Sequence, residues 1–391
     1  MLAPTLTREE ELHWLALILI PGLGARKTGQ LLERFRTPQA AFRASRSELE
    51  AAGLGGVVAQ SIASGCSFDD AVAQQEKMQE TGSVLVSISD PRYPERLRQI
   101  FDPPVALFAR GRIELLGSIM LGVVGTRRPT PYGVAVTERL ASDLARVGLT
   151  IVSGMARGID TAAHKGALAA GGDTVAVFGC GVDLVYPSEN RRMAAELSQK
   201  GLIVSEFPMG APAYPQNFPI RNRIVSGMSA GVLVVEGAQY SGSSITARLA
   251  IEQGREVFAI PGNITSKMSW GPNLLIKQGA KIVQEWNDVI SELPPEDRRR
   301  LIDEGRNRLQ GNGLDDAGTS GPAQASLSIG PFTDLGRRLL QVLQPDSASH
   351  IDDLIGRMEE STSSEVIAAL FELEMLGLVK QLPGRNYAKV W

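Results

Sequence analysis

Glycine recurs with hydroxyl, amide or arginine residues in five short segments of this 391-residue chain. The segments read GTRRPTPYG (Gly125–Gly133), SGMARGIDTAAH (Ser153–His164), GCGVDLVYPSEN (Gly179–Asn190), EFPMGAPAYPQNFPIRNRIVSGMS (Glu206–Ser229) and EGAQYSGSSITAR (Glu236–Arg248). That combination suits phosphate. Glycine admits an anion close to backbone N–H groups, helix N-termini favour negative charge, and a guanidinium forks onto phosphate oxygens. Arg127, Arg221 and Arg223 stand out, because they lie in glycine-bearing loops without acids beside them in sequence.

The usual nucleotide cradles are absent. Gly122 and Gly125 sit three apart and no glycine follows at the step a dinucleotide fingerprint needs. No G-x-x-x-x-G-K-[ST] signature occurs anywhere. Catalytic constellations are missing as well: no nucleophile lies beside a base, no carboxylates are paired for acid–base work, and no metal-ligand cluster exists. Asp160 and His164, four apart on one helix, read as capping and packing rather than catalysis. Cys180 reads as a small packed residue. Two cysteines and three histidines make neither a disulfide framework nor a metal set.

A net charge of -3 excludes a bulk polycation, so any nucleic-acid site must be a local patch. Between Ser118 and Ile290 lysine and arginine outnumber aspartate and glutamate within an otherwise acidic chain. The N-terminus places Glu9, Glu10 and Glu11 before a short apolar run. It reads as neither signal peptide nor membrane span, and a cytoplasmic protein without membrane insertion is expected.

The elements that must position these segments are strands alternating with helices. Continuous apolar runs predict strands at Met120–Val124, Thr150–Ser153, Thr174–Phe178, Leu202–Ser205, Gly231–Val235, Glu256–Ile260 and Ala280–Val283. Helical spacing separates most of them, as in Val134–Arg146 and Ser244–Gln253. The expected fold is α/β, an extended Rossmann-like doubly wound parallel sheet, whose ligands bind beyond the carboxyl ends of the strands. The five segments fall there.

On either side the pattern changes. Leu15–Phe35 reads as two helices around a Pro21–Gly24 turn, resembling a helix-hairpin-helix in which Arg26 and Lys27 could meet DNA; packing alone is the other reading. Residues 294–331 are polar, lack an apolar period and read as a linker. Thr333–Leu343, His350–Met358 and Ser363–Leu376 predict three helices, and Gly377–Val390 a small hairpin, which is winged-helix order. The third helix follows Glu359 and Glu360 and carries Glu365, Glu372 and Glu374, which favours a protein contact over a DNA-reading face. The expected domains are therefore a helical one at 1–80, the Rossmann-like one at 81–293, the linker, and the winged helix at 332–391.

GTRRPTPYG, SGMARGIDTAAH, YPSEN, FPIRNRIVSGMS, SGSSITARLAIEQGREVFAIPG and GPNLLIKQGA, in unbroken order over roughly residues 85–290, resemble the DprA (Smf, DNA-processing protein A) family. The resemblance extends more loosely to the helical (SAM or helix-hairpin-helix-like) start and the winged-helix end. It implies a single-stranded DNA-binding recombination mediator that protects incoming DNA and helps load RecA recombinase during natural transformation. It also implies a homodimer through the Rossmann domain and no cofactor. By motif, the implied DNA site comprises Gly125, Thr126 and Arg127, with Ser153 and Gly154, Ser188 and Asn190. Phe218, Arg221, Asn222, Arg223 and Ser243 complete it. Some family members carry a basic residue shortly before the phenylalanine, where this chain has the uncharged AYPQNF. Strand-end amides and arginines would hold successive phosphates while Phe218 stacks on a base; Phe218 as a core residue between Pro208 and Pro219 is the competing reading. Arg128 reads as either ligand or rim. The expected dimer edge is Ile260–Ala280.

The rival class is a nucleotide-processing Rossmann enzyme related to phosphoribohydrolases that cleave nucleoside monophosphates. Those enzymes need catalytic glutamates where this chain has Thr246 and Ala247, an uncharged pair that can neither stabilise an oxocarbenium ion nor activate water. A non-enzymatic binder is expected.

Overall fold

The structure is a computed structural model that describes residues 6–239, 241–311, 334–343, 348–358, 361–375, 378–382 and 386–389. It divides into two compact units, Met1–Gly313 and Leu314–Trp391.

The first unit is built on nine strands: β1 (Val84–Ser87), β2 (Ala106–Gly111), β3 (Met120–Val124), β4 (Thr150–Ser153), β5 (Thr174–Val177), β6 (Leu202–Ser205), β7 (Gly231–Val234), β8 (Glu256–Ala259) and β9 (Lys281–Ile282). Their order across the sheet is β1-β2-β6-β5-β4-β3-β7-β8-β9. The seven strands β3 to β9 pair in parallel, matching the apolar runs in the sequence. The sheet is nevertheless mixed. β2 runs antiparallel to β6 and β1 antiparallel to β2, and neither was expected from periodicity.

Continuous burial of β3 to β7 follows from cover on both faces. Met120 and Val124 join a core with Ile224, Val225, Ala247 and Ala250, which belong to the helices Asn217–Met228 and Gly242–Glu252. Their neighbours Leu121 and Val123 point the other way, against Leu140, Leu144, Ile159 and Ala163 of the helices Pro131–Arg146 and Ile159–Ala169. Alternate side chains of each strand thus enter opposite cores, so both must be apolar.

The N-terminal helices share that second face. Trp14, Leu15 and Met78 pack with Ala176, Phe178 and Ile203 in one cluster, so residues 6–80 fold onto the sheet within the same compact unit. The expected hairpin is present as the helices Arg8–Ile18 and Ala25–Phe35, with Gly22 at φ +77° in the turn between them.

The segment read as linker begins as a helix, Pro295–Gly311. Its Leu301 is buried in the second core and its Asp297 pairs with Arg96 at 2.5 Å. Three aliphatic residues, Leu301, Ile302 and Leu309, among many charges were too few to register as a period. The rest of that segment, to 331, lies outside the described residues.

The second unit contains the helices Asp334–Val342, Ile351–Arg357 and Ser363–Met375. A small antiparallel sheet joins them, in the order β10-β12-β11, from β10 (Ser349–His350), β11 (Val379–Leu382) and β12 (Asn386–Lys389). Leu339, Leu354, Val366, Leu370 and Leu373 form its core. Of the acids noted there, Glu365 caps the third helix, accepting from Thr362 N at 2.8 Å and Oγ1 at 2.9 Å. Glu359 and Glu360 lie outside the described residues, as does the side chain of Glu372.

Candidate nucleic-acid interface

The chain winds from β3 through β4 and β5 to β6 on one side, then returns to β7, β8 and β9 on the other. The loops leaving β3 and β7 therefore diverge, and a crevice opens between them at the carboxyl edge. Here it is a groove of about 670 Å³ lined by Gly125, Thr126, Arg127, Arg128, Asp160, Tyr186, Phe218, Arg221, Asn222 and Ser243, among others. A narrower recess continues from it past Gly154, Arg157 and Pro187.

Arg221 forms the floor. It is 3% exposed, donates from Nη1 to the Val177 carbonyl at 2.5 Å, and its Nε is buried without a hydrogen-bond partner. Burial lowers the guanidinium pKa, opposed by nearby Asp160, yet arginine starts so high that it remains charged. Asp160 does not pair with it directly; its Oδ2 accepts from the amides of Gly154 at 3.1 Å and Ala156 at 3.2 Å. Burial raises that carboxyl against the pull of Arg221 and the amides. A buried cation with an unanswered N–H, beside an open groove, favours an incoming anion.

Phe218 forms the wall. It is half-buried, with Tyr186 at 5.4 Å between ring centroids and the guanidinium of Arg127 at 5.6 Å from its own. It belongs to none of the hydrophobic clusters among the described residues, and Pro219 beside it is exposed, so the core reading does not hold. Arg127 and Arg128 are exposed and make no ion pair among the described residues.

Not every residue named from sequence turns its side chain to the groove. Ser153 is fully buried and donates to the Val123 carbonyl at 2.6 Å, tying β4 to β3. The amide of Thr126 donates to the Glu236 carbonyl at 2.7 Å, and that of Gly154 is engaged by Asp160. Asn190 is buried and donates to the Met155 carbonyl at 2.8 Å and to Thr161 Oγ1 at 3.0 Å, so it braces the second loop. Ser188 is exposed beside the recess without lining it. Arg223 departs furthest. It is buried between Glu206 at 2.6 Å and Asp102 at 3.0 Å. Its helix turns it away from Arg221, and its acids come from the residue after β6 and from a loop more than a hundred residues earlier, which local sequence could not reveal.

Three residues that build the site were missed, two of them lining it. Arg157 enters the recess from the second loop, where it contacts Glu189, and supplies a cation that the fourth loop lacks. Tyr186 faces Phe218. Glu236, 3% exposed at the end of β7, accepts from Thr130 N at 2.8 Å and Oγ1 at 2.6 Å and so anchors the first loop to β7. Arg157 carried the same signal as Arg127, an arginine among glycines.

The two readings of packing hold. His164 is fully buried with Nδ1 2.7 Å from Thr174 Oγ1, and burial lowers its pKa to about 3. The Cys180 thiol donates to the Leu184 carbonyl at 3.2 Å, and burial pushes it up to about 11. Neither faces a base or nucleophile that would make it reactive. Among the described residues no group of three or more His, Cys, Asp or Glu could hold a metal. No helix among them is long and apolar enough to cross a membrane.

Fold and groove together define a doubly wound α/β protein with a cation-lined cleft at its switch point. The model of the family described as DNA recombination-mediator protein A matches residues 84–294, and that of the DprA winged helix domain matches residues 320–385. The chain belongs to the DNA recombination-mediator protein A (DprA/Smf) family. It is 44% identical over 216 residues to DNA processing protein DprA of Bacillus subtilis, covering 55% of this chain and 73% of that one. It is 33% identical over 401 residues to Protein Smf of Synechocystis, covering 98% and 100%. The X-ray structure of DprA from Streptococcus pneumoniae matches with a TM-score of 0.66 at 35% identity, covering 74% of this chain and 99% of that one.

Proposed function

We propose that the groove binds single-stranded DNA with little sequence preference and that the protein, as a homodimer, protects incoming strands and helps load RecA. The observation that carries this reading is the convergence of Arg127, Arg221 and Phe218 on one open groove, two cations and an aromatic wall. Phosphates would sit against Arg127, Arg157 and Arg221, with Gly125, Thr126, Asn222 and Ser243 completing the lining. A base would stack at Phe218 and Tyr186, since every base has a π-face. A duplex, with its bases already stacked inside, cannot use that wall.

Binding without catalysis is supported by the state of the carboxylates. Asp160 and Glu236 both accept from backbone amides, and Thr246 and Ala247 are uncharged. Dimerisation is supported by the apolar side chains left exposed near the β9 edge: Ile264 at 92%, Ile282 at 42% and Trp270 at 39%. A cytoplasmic location accords with the proposed partners.

The test is a titration of the full chain into labelled oligo-dT and a matched duplex at two salt concentrations. Salt-sensitive preference for the single strand is the expected result. A well-folded protein that binds neither would overturn the reading and direct attention to nucleoside monophosphates.

A further inference from the structure

The helix that carries Phe218 leads to a second aromatic. Arg223 lies about one and a half turns further along it and reaches Asp102 with Nε at 3.0 Å. Next to Asp102 in the chain is Phe101, 84% exposed, whereas Tyr214 and Tyr132, the next most exposed aromatics among the described residues, stand at 53% and 52%. Arg26, from the N-terminal hairpin, holds its guanidinium 5.4 Å from the Phe101 ring centroid. With so much of the ring exposed, its other face is open to solvent. Arg26 and Lys27 are both exposed at the start of the Ala25–Phe35 helix, and neither makes an ion pair among the described residues. The nearby acids, Asp102 and Glu206, are both engaged by Arg223.

An exposed aromatic flanked by unpaired cations is the composition of a sequence-tolerant base-stacking step. Its position supports the same occupant. Glu206 directly follows β6, so Arg223 and Asp102 lie on the carboxyl edge of the sheet, the edge onto which the groove opens. We infer that Phe101, with Arg26 and Lys27, is a second stacking step for single-stranded DNA, receiving the strand as it leaves the groove along the Asn217–Met228 helix. The inference rests on the reading that the groove binds a single strand. The N-terminal hairpin then has a role beyond packing: its cations meet phosphate one step downstream.

Phe101→Ala removes a solvent-facing ring and leaves the core untouched, so folding is not at risk. Full-length protein is titrated into oligo-dT of stepped length, from about 4 to about 16 nucleotides. Phe101→Ala is expected to leave the shortest oligomer unaffected and to weaken the longest about tenfold. Phe101→Trp should restore the long-oligomer affinity and Phe101→Leu should not, because the leucine has bulk without a π-face. Arg127→Ala, inside the groove, should weaken every length. If Phe101→Ala binds all lengths like the parent while Arg127→Ala weakens them, the second step is wrong and the groove reading stands. If neither change matters at any length, the groove reading fails and takes the inference with it. Full rescue by Phe101→Leu would also overturn stacking, making the residue an apolar contact for something other than a base.

Discussion

The guanidinium of Arg221 occupies the space that a side chain on Gly154 would need, because a Cβ built on that glycine would overlap Nη1. The bare backbone of the second loop is what allows a buried arginine from the fourth loop to lie across the end of β5. Gly154→Ala should therefore act on DNA binding through Arg221, displacing it from the groove floor. A loss of about tenfold in single-strand affinity is expected, comparable to one charge-assisted contact. The check is the same titration, with thermal unfolding to confirm that the variant is folded.

Arg127→Ala should weaken binding to all single strands and reduce the salt slope by about 0.7, the value for one phosphate contact on a single strand. Its side chain is exposed, so Tm should barely move. An unchanged slope would remove Arg127 from the phosphate track.

Arg223→Ala should do the reverse. It strands Glu206, which burial already pushes above the usual carboxylate range with only Arg223 to oppose it. Removing one partner of a buried pair costs about 3 kcal/mol or more. Chemical denaturation should show this loss, while the folded protein keeps most of its affinity for an oligomer short enough to lie within the groove.

His164 gives a pH signature. Its folded pKa, about 3, lies below its ordinary value of 6.5, so the unfolded chain binds the proton first. The stability it contributes is present above pH 6.5 and is lost as pH falls from there towards 3, by about 1.4 kcal/mol per unit once well below 6.5. His164→Gln should flatten that part of the Tm–pH curve relative to the parent. Asp160 and Glu206, with raised folded pKa values, slope the other way in both proteins, so the difference between the curves isolates the histidine. Parallel curves would refute the assignment.

Truncation should depend on where the cut falls. Ending the chain at Gly313 removes the second compact unit and should leave stability and most single-strand binding intact. Ending it at Pro294 also removes Leu301 from the core and Asp297 from Arg96, and should lower Tm by several degrees. Equal Tm values for the two truncated chains would mean that the Pro295–Gly311 helix contributes nothing.

Strands β3 to β7 of the parallel region were legible because each is buried on both faces, which forces an uninterrupted apolar run that no other element of four or five residues requires. β1 and β2 were not, since an antiparallel edge pair needs no such run and its partner, β6, lies about a hundred residues away. The site divides in the same manner. Glycine and arginine beyond the strand ends marked the groove and singled out Arg127 and Arg221, while Phe218 followed from the family resemblance. Rotation about a helix axis decided between Arg221 and Arg223, two residues apart and about 200° around the helix. One faces the groove, and the other closes on acids from distant segments. Ser153 and Asn190 carry the right functional groups, but their hydrogen bonds go to neighbouring backbone, a matter of which way a side chain points. By itself the sequence determined the layers of the fold and the edge where ligand chemistry gathers, because burial and strand-end loops leave compositional traces. Tertiary structure alone decided which of those groups remain unpaired, because pairing depends on contacts between segments far apart in the chain.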